Sequence, residues 1–169
     1  MLFADLFRAL HADNVRYVLV GGLAGNLHGV DRSTFDIDLV LAMDDANLSH
    51  IVDMAKRLNL TPNIPEPMES LKSAALIDQW HREKGMIVFS FRSGDADANV
   101  IDVLVKPVVP FDELVKDATT AAFMGETVFI ASKQHLIRLK SGTGRAKDAQ
   151  DIAELSAMVA KEREQDGSL

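Results

Sequence analysis

The sequence predicts an α+β fold, a small β-sheet with helices covering one face and further helices at the C-terminal end. Two observations predict it. Short apolar runs alternate along the chain with longer stretches of helical period. The 169 residues, 47% of them hydrophobic, suffice for one packed core and show no repeat, linker or low-complexity stretch. We therefore expect a single domain over 1–169, its core spanning 1–131 and a helical tail 132–165.

In order, Leu2 to Ala12 spaces Leu2, Leu6, Ala9 and Leu10 as one helix face. Tyr17 to Val20 is a buried strand closed by the Gly21-Gly22 turn. Leu23 to His28 makes one or two helical turns, stopped at Gly29. Phe35 to Ala42 is the clearest strand. Phe35, Ile37, Leu39 and Leu41 take one face, and Asp36, Asp38, Val40 and Ala42 the other. Asp44 and Asp45 open a helix to about Leu58. The prolines of 61–67 predict a loop, and 68–82 a helix. Strands follow over 86–91 and 100–105, joined by the polar turn 93–97. A short helix over 111–116 and a strand over 127–131 lead to Ser132, which caps a helix through Lys140. A long helix over 145–164 ends the chain before a frayed tail.

Composition narrows the function. A net charge of −7 argues against a general nucleic-acid coat. Residues 132–147 nonetheless carry Lys133, Arg138, Lys140, Arg145 and Lys147 without an acid. Such a segment is either a solvated helix face or a local patch for a small anion or one RNA face. No apolar run spans a membrane, and no signal peptide is evident at the N-terminus. Cysteine is absent, which rules out disulfides and suits a cytoplasmic protein. The five histidines are scattered without metal-ligand spacing, which disfavours a metal-dependent phosphohydrolase.

The chemistry concentrates in three carboxylates. Asp36 and Asp38, two apart on a strand, point the same way with backbones about 6–7 Å apart. Side chains so placed converge on magnesium or manganese, hard cations that take oxygen ligands and share substrate phosphates. Solvent-facing acids on an edge strand show the same spacing, but Val40 and Ala42 continue that face with apolar residues. Asp102 lies inside the apolar run Val100 to Val105, where a carboxylate needs a partner. Gly21 and Gly22 let backbone approach a phosphate beside a helix N-terminus. Arg32 and Thr34, just ahead of Asp36, are phosphate donors or an ordinary surface Arg and strand-entry Thr. His28 is a base or packs against the turn.

These residues carry a resemblance. Val20-Gly21-Gly22, followed by His28 to Leu39 with Asp36-Ile37-Asp38, resembles the nucleotidyltransferase superfamily that includes DNA polymerase beta. Within it the likeness is to minimal and abortive-infection toxin-type bacterial members. Lys140 and Arg145-Ala146-Lys147-Asp148 also look like the helical tail of the toxin type. The resemblance implies a palm of mixed sheet, magnesium held by Asp36 and Asp38 with the nucleotide, and an acceptor hydroxyl activated by Asp102. It implies triphosphate held by Gly21 and Gly22, and a phosphate contact from Lys140. Many members have Ser where this chain has Gly22, so that hydroxyl contact is missing here. The expected activity is transfer of a nucleoside monophosphate from a nucleoside triphosphate to an RNA end, a protein side chain or a small molecule such as an aminoglycoside. Such proteins often have an antitoxin partner. The competing expectation is a nucleotide-sensing or protein-binding module on the same fold, without turnover.

Overall fold

The computed structural model describes residues 3–34, 36–94 and 100–167. It contains α1 (Phe3–Ala12), β1 (Tyr17–Val20), α2 (Gly21–His28), β2 (Ile37–Leu41), α3 (Asp45–Arg57) and β3 (Thr61–Pro62). A 3-10 helix (Met68–Lys72) precedes α4 (Ala74–Lys84), β4 (Val88–Arg92), β5 (Val100–Leu104) and α5 (Phe111–Leu114). The chain continues through β6 (Thr119–Phe123), β7 (Glu126–Ile130), α6 (Lys133–Lys140) and α7 (Ala146–Asp166). The seven strands form one mixed sheet in the order β3-β4-β5-β2-β1-β7-β6. The α+β expectation with C-terminal helices therefore holds.

The centre of the sheet positions the site. β1 runs antiparallel to β2, and β2 runs parallel to β5. On one face Ile37, Leu39, Phe89, Phe91, Ile101 and Val103 are buried to within 1% exposure, forming the core with Leu48, Ile51 and Ala55 of α3. Alternation then drives Asp38, Asp102 and Ser90 to the opposite face. Val40 and Ala42 on that face are buried too, as their apolar character predicted.

Four departures from the sequence expectation bear on the fold, each for a local reason. The strand expected over 35–42 covers only Ile37–Leu41, so Asp36 precedes it, and Phe35 lies outside the described residues. The helix expected over 68–82 is broken at Ser73, whose extended backbone (φ −104°) ends the 3-10 turn while its hydroxyl accepts from the Leu76 N–H to cap α4. Thr61–Pro62, expected as loop, adds an edge strand to β4, where proline is tolerated. β6 was not expected at all. Its sequence Thr-Thr-Ala-Ala-Phe lacks apolar alternation, and its partner β7 holds it through a tight hairpin at Met124 (φ 51°) and Gly125 (φ 84°). Part of the turn expected over 93–97 lies at 95–97, outside the described residues.

Candidate active site

Gly21 fits where no other residue would. β1 ends at Val20, paired with Asp38, and the chain turns at once into α2. Gly21 takes φ +68°, and a Cβ there would lie 1.9 Å from Asp38 Oδ2. The N–H of the next residue, Gly22, acts on the Asp38 carboxylate and favours its ionised form. A Cβ on Gly22 would lie 2.8 Å from Thr34 Oγ1 and 3.0 Å from Arg32 Nη2. Gly21, Gly22, Arg32, Thr34 and Asp38, spread over 18 positions of sequence, therefore meet at the N-terminus of α2.

The second carboxylate arrives by strand register. Asp38 of β2 is paired with Asp102 of β5, which is paired in turn with Ser90 of β4. Paired positions on neighbouring strands are about 4.8 Å apart and share a face. Ser90 Oγ donates to Asp102 Oδ1 at 2.5 Å and fixes that carboxylate's orientation. Sequence reasoning missed Ser90. Its signal was the alternation Phe89-Ser90-Phe91, which sets a lone hydroxyl opposite two core rings. Asp36 sits two positions before Asp38 and is exposed.

Burial pushes the Asp38 carboxyl up to about 6, helped by the like charges of Asp102 and Asp36, while Lys140 and the Gly22 N–H pull the other way. Acids this close together hold more negative charge than the surrounding donors offset, and all their donor atoms are oxygens. That donor set fits a divalent ion such as magnesium, which would relieve the repulsion. Among the described residues no three His, Cys, Asp or Glu side chains are grouped closely enough to hold a metal ion on their own. The acids lie side by side instead, an arrangement suited to sharing an ion with substrate phosphates.

The remaining basic residues are held by the C-terminal helices. Asp151 Oδ2 accepts from both Arg32 Nη1, at 2.5 Å, and Lys140 Nζ, at 2.7 Å. Lys140 also reaches Asp148 at 3.4 Å, and Asp148 accepts from Thr143 at 2.7 Å and Arg145 at 2.5 Å. Burial raises the Asp148 carboxyl, but the hydrogen bonds of Thr143 and Arg145 and the charges of Lys140 and Arg145 outweigh it and hold the carboxyl low. Asp148, Asp151 and Lys140 are all buried. Asp151 is a second residue that sequence reasoning missed. It lies one helical turn beyond Asp148, but only the fold brings it to Arg32.

This network also changes the reading of the basic segment. Lys133 pairs with Glu162, Arg138 with Glu113, Lys140 with Asp151 and Arg145 with Asp148. Four of its five cations are thus matched by acids from elsewhere in the chain, so it is not an open positive patch. The His28 Nε2 lies 2.7 Å from the Ala131 carbonyl oxygen. Burial holds its imidazole below the usual range. Of its two expected roles, this contact is the packing one.

No family model matches the chain, and no curated protein sequence does. Solved structures do. LnuA, a lincosamide antibiotic adenylyltransferase in its lincomycin-bound form, superposes with a TM-score of 0.60 at 13% identity over 92% of this chain and 97% of its own. ANT(2")-Ia in complex with adenylyl-2"-tobramycin gives a TM-score of 0.60 at 14% identity, over 95% of this chain and 88% of its own. An antigenic nucleotidyltransferase-like protein from Paracoccidioides brasiliensis gives 0.54 at 18% identity, over 92% of this chain and 72% of its own. At such identities the likeness speaks for the fold, and the fold is that of nucleotidyltransferases.

Proposed function

We propose that the protein is a divalent-metal-dependent nucleotidyltransferase that moves a nucleoside monophosphate from a nucleoside triphosphate to a hydroxyl acceptor. The observation that carries this is the convergence of the Gly21-Gly22 main chain, Asp38 and Asp102 at one sheet row, with Asp36 beside it. Gly21 and Gly22 open the main chain to the triphosphate, while Arg32 and Thr34 stand over the turn as donors. Lys140 lies close enough to act on the charge of Asp38, and contributes positive potential from beneath the site. Asp36, Asp38 and Asp102 would hold magnesium or manganese, which when bound neutralises charge on the phosphates.

In the reaction, the acceptor hydroxyl oxygen bonds to the α-phosphorus. The bond from that phosphorus to the bridging oxygen breaks, and its electron pair leaves with pyrophosphate. The hydroxyl proton passes to Asp102, held in place by Ser90. The protein's part is positioning and charge balance rather than covalent chemistry.

LnuA is a lincosamide antibiotic adenylyltransferase with lincomycin bound, and ANT(2")-Ia is seen with adenylyl-2"-tobramycin. Acids that would suit a cationic acceptor are occupied here: Glu66 pairs with Lys84, Glu69 with Lys56 and Lys72, and Asp78 with Arg82 and Lys106.

The test incubates the protein with magnesium, each α-labelled nucleoside triphosphate and a pool of RNA, protein and small molecules. Asp36→Asn and Asp38→Asn variants run alongside. We expect label on one acceptor class with the wild type and a loss of about 100-fold or more with either variant. Nucleotide binding without any transfer would leave a non-catalytic sensor. Transfer that survives both substitutions would refute the site.

A further inference from the structure

The groups assigned to the nucleotide all lie to one side of the carboxylate row. Gly21, Gly22, Arg32, Thr34 and Lys140 belong to α2, which packs on β1 and β2, to the segment after it, and to α6, which packs on α2. On the other side the same sheet face continues across β4 and β3. Ser90 is paired with Asp102, and Arg92 with Val100, one pleat along. Thr61 is paired with Arg92, and the Asn63 N–H donates to the Ser90 carbonyl at 2.8 Å. By strand alternation Ser90, Arg92, Thr61 and Asn63 share the face of Asp102. Phe89 and Phe91 take the reverse face and are buried in the core. Arg92, Thr61 and Asn63 are exposed, so no element among the described residues covers this wing.

We infer that this wing is the acceptor site, and that the acceptor is a small hydroxyl compound carrying a phosphate or other anionic group. The inference rests on the proposed transfer reaction. In-line displacement sets the acceptor and the departing pyrophosphate on opposite sides of the α-phosphorus. With the triphosphate on the α2 side, the attacking hydroxyl must reach Asp102 from the β4 side. What waits there is a polar row, Ser90 and Asn63, and one cation. Arg92 lies roughly 8 Å from Asp102 between Cα positions, one strand over and one pleat along. It has no ion-pair partner among the described residues, whereas most other arginines of the chain are matched. A planar guanidinium on an open sheet face suits a bidentate anion. A cationic acceptor would be repelled by it.

The probe is glycerol 3-phosphate, with glycerol as the control. Each is titrated into isotope-labelled protein saturated with magnesium and a non-hydrolysable ATP analogue, and backbone amide shifts are followed by NMR. We expect glycerol 3-phosphate to shift amides at Ser90 to Arg92 and at Asn63, and glycerol to leave them in place. Arg92→Ala should weaken the phosphate's affinity by about tenfold or more, and Arg92→Lys should restore part of it. The analogue's own Kd should change by less than about twofold in both variants. No binding, shifts confined to Gly21–Thr34, or an affinity unchanged in Arg92→Ala would each overturn the acceptor assignment. An analogue that itself fails to bind the wild type would instead bring down the nucleotide reading on which the assignment rests.

Discussion

Asp38 and Gly21 occupy adjoining space, and this contact sets what each can be. An alanine at position 21 would bring a methyl group to 1.9 Å from Asp38 Oδ2 at a φ of +68°. We expect Gly21→Ala to displace Asp38 and to lower transfer by about 100-fold, a loss of positioning visible in kcat. Asp38 itself stores an electrostatic cost. In the metal-free protein its carboxyl titrates at about 6, above the usual carboxylate range, because of burial and then of Asp102 and Asp36. The fold therefore prefers the protonated acid. That preference contributes stability in full below pH ~4 and loses it as pH rises through the folded value. At pH 7.5 the ionised group costs on the order of 2–3 kcal/mol. Asp38→Asn removes the charge, so without metal it should melt roughly 5 °C above the wild type at pH 7.5. The gap should close near pH 4. A variant that melts at or below the wild type at pH 7.5 would contradict the strained carboxylate. Such a gain in stability at the expense of activity is the usual signature of a functional group.

At the scale of elements, α7 is tied to the site by one buried acid. Asp151 joins Arg32, in the segment after α2, to Lys140, at the end of α6, through a single oxygen. Its replacement leaves the half-buried Arg32 without its counter-charge and the buried Lys140 with only the longer contact to Asp148. We expect Asp151→Asn to cost about 3 kcal/mol in urea unfolding and to weaken nucleotide binding, since Arg32 leaves its place over Gly22. Asp151→Glu should recover part of the stability but not the geometry of Arg32. A variant as stable as the wild type would show that the network is incidental.

Among the elements, the sequence was legible only in part. β1, β2 and α3 could be read because their apolar periods are clean and Asp44 caps α3 by accepting from the Asn47 N–H. The β6 strand could not, because its residues are mostly exposed and its shape comes from the hairpin and from Phe123 packing on Phe7 at 5.8 Å. Asp36, Asp38 and Asp102 were visible as a local pattern and as a polar break in an apolar run. Asp151 and Ser90 were not, since their meaning lies in partners 119 and 12 residues away. The basic run at 132–147 was visible but misleading, because the acids that neutralise most of it come from α5 and α7.

The whole molecule is a sheet with a carboxylate row at its middle and two unlike flanks. On one side α2, α6 and α7 gather backbone N–H groups and cations. On the other β4 and β3 leave a polar, exposed face. In the proposed reaction the helices of the first flank would hold the nucleotide, and the open second flank would leave room for the acceptor.

The most direct test of the central claim is calorimetric titration of a non-hydrolysable nucleoside triphosphate analogue, with magnesium and with chelator, into the wild type and Asp38→Asn. We predict binding that requires magnesium in the wild type and is weakened at least about tenfold in Asp38→Asn, whose fold remains intact. Equal affinity in chelator, or in Asp38→Asn, would mean that the carboxylate row does not form a metal-nucleotide site.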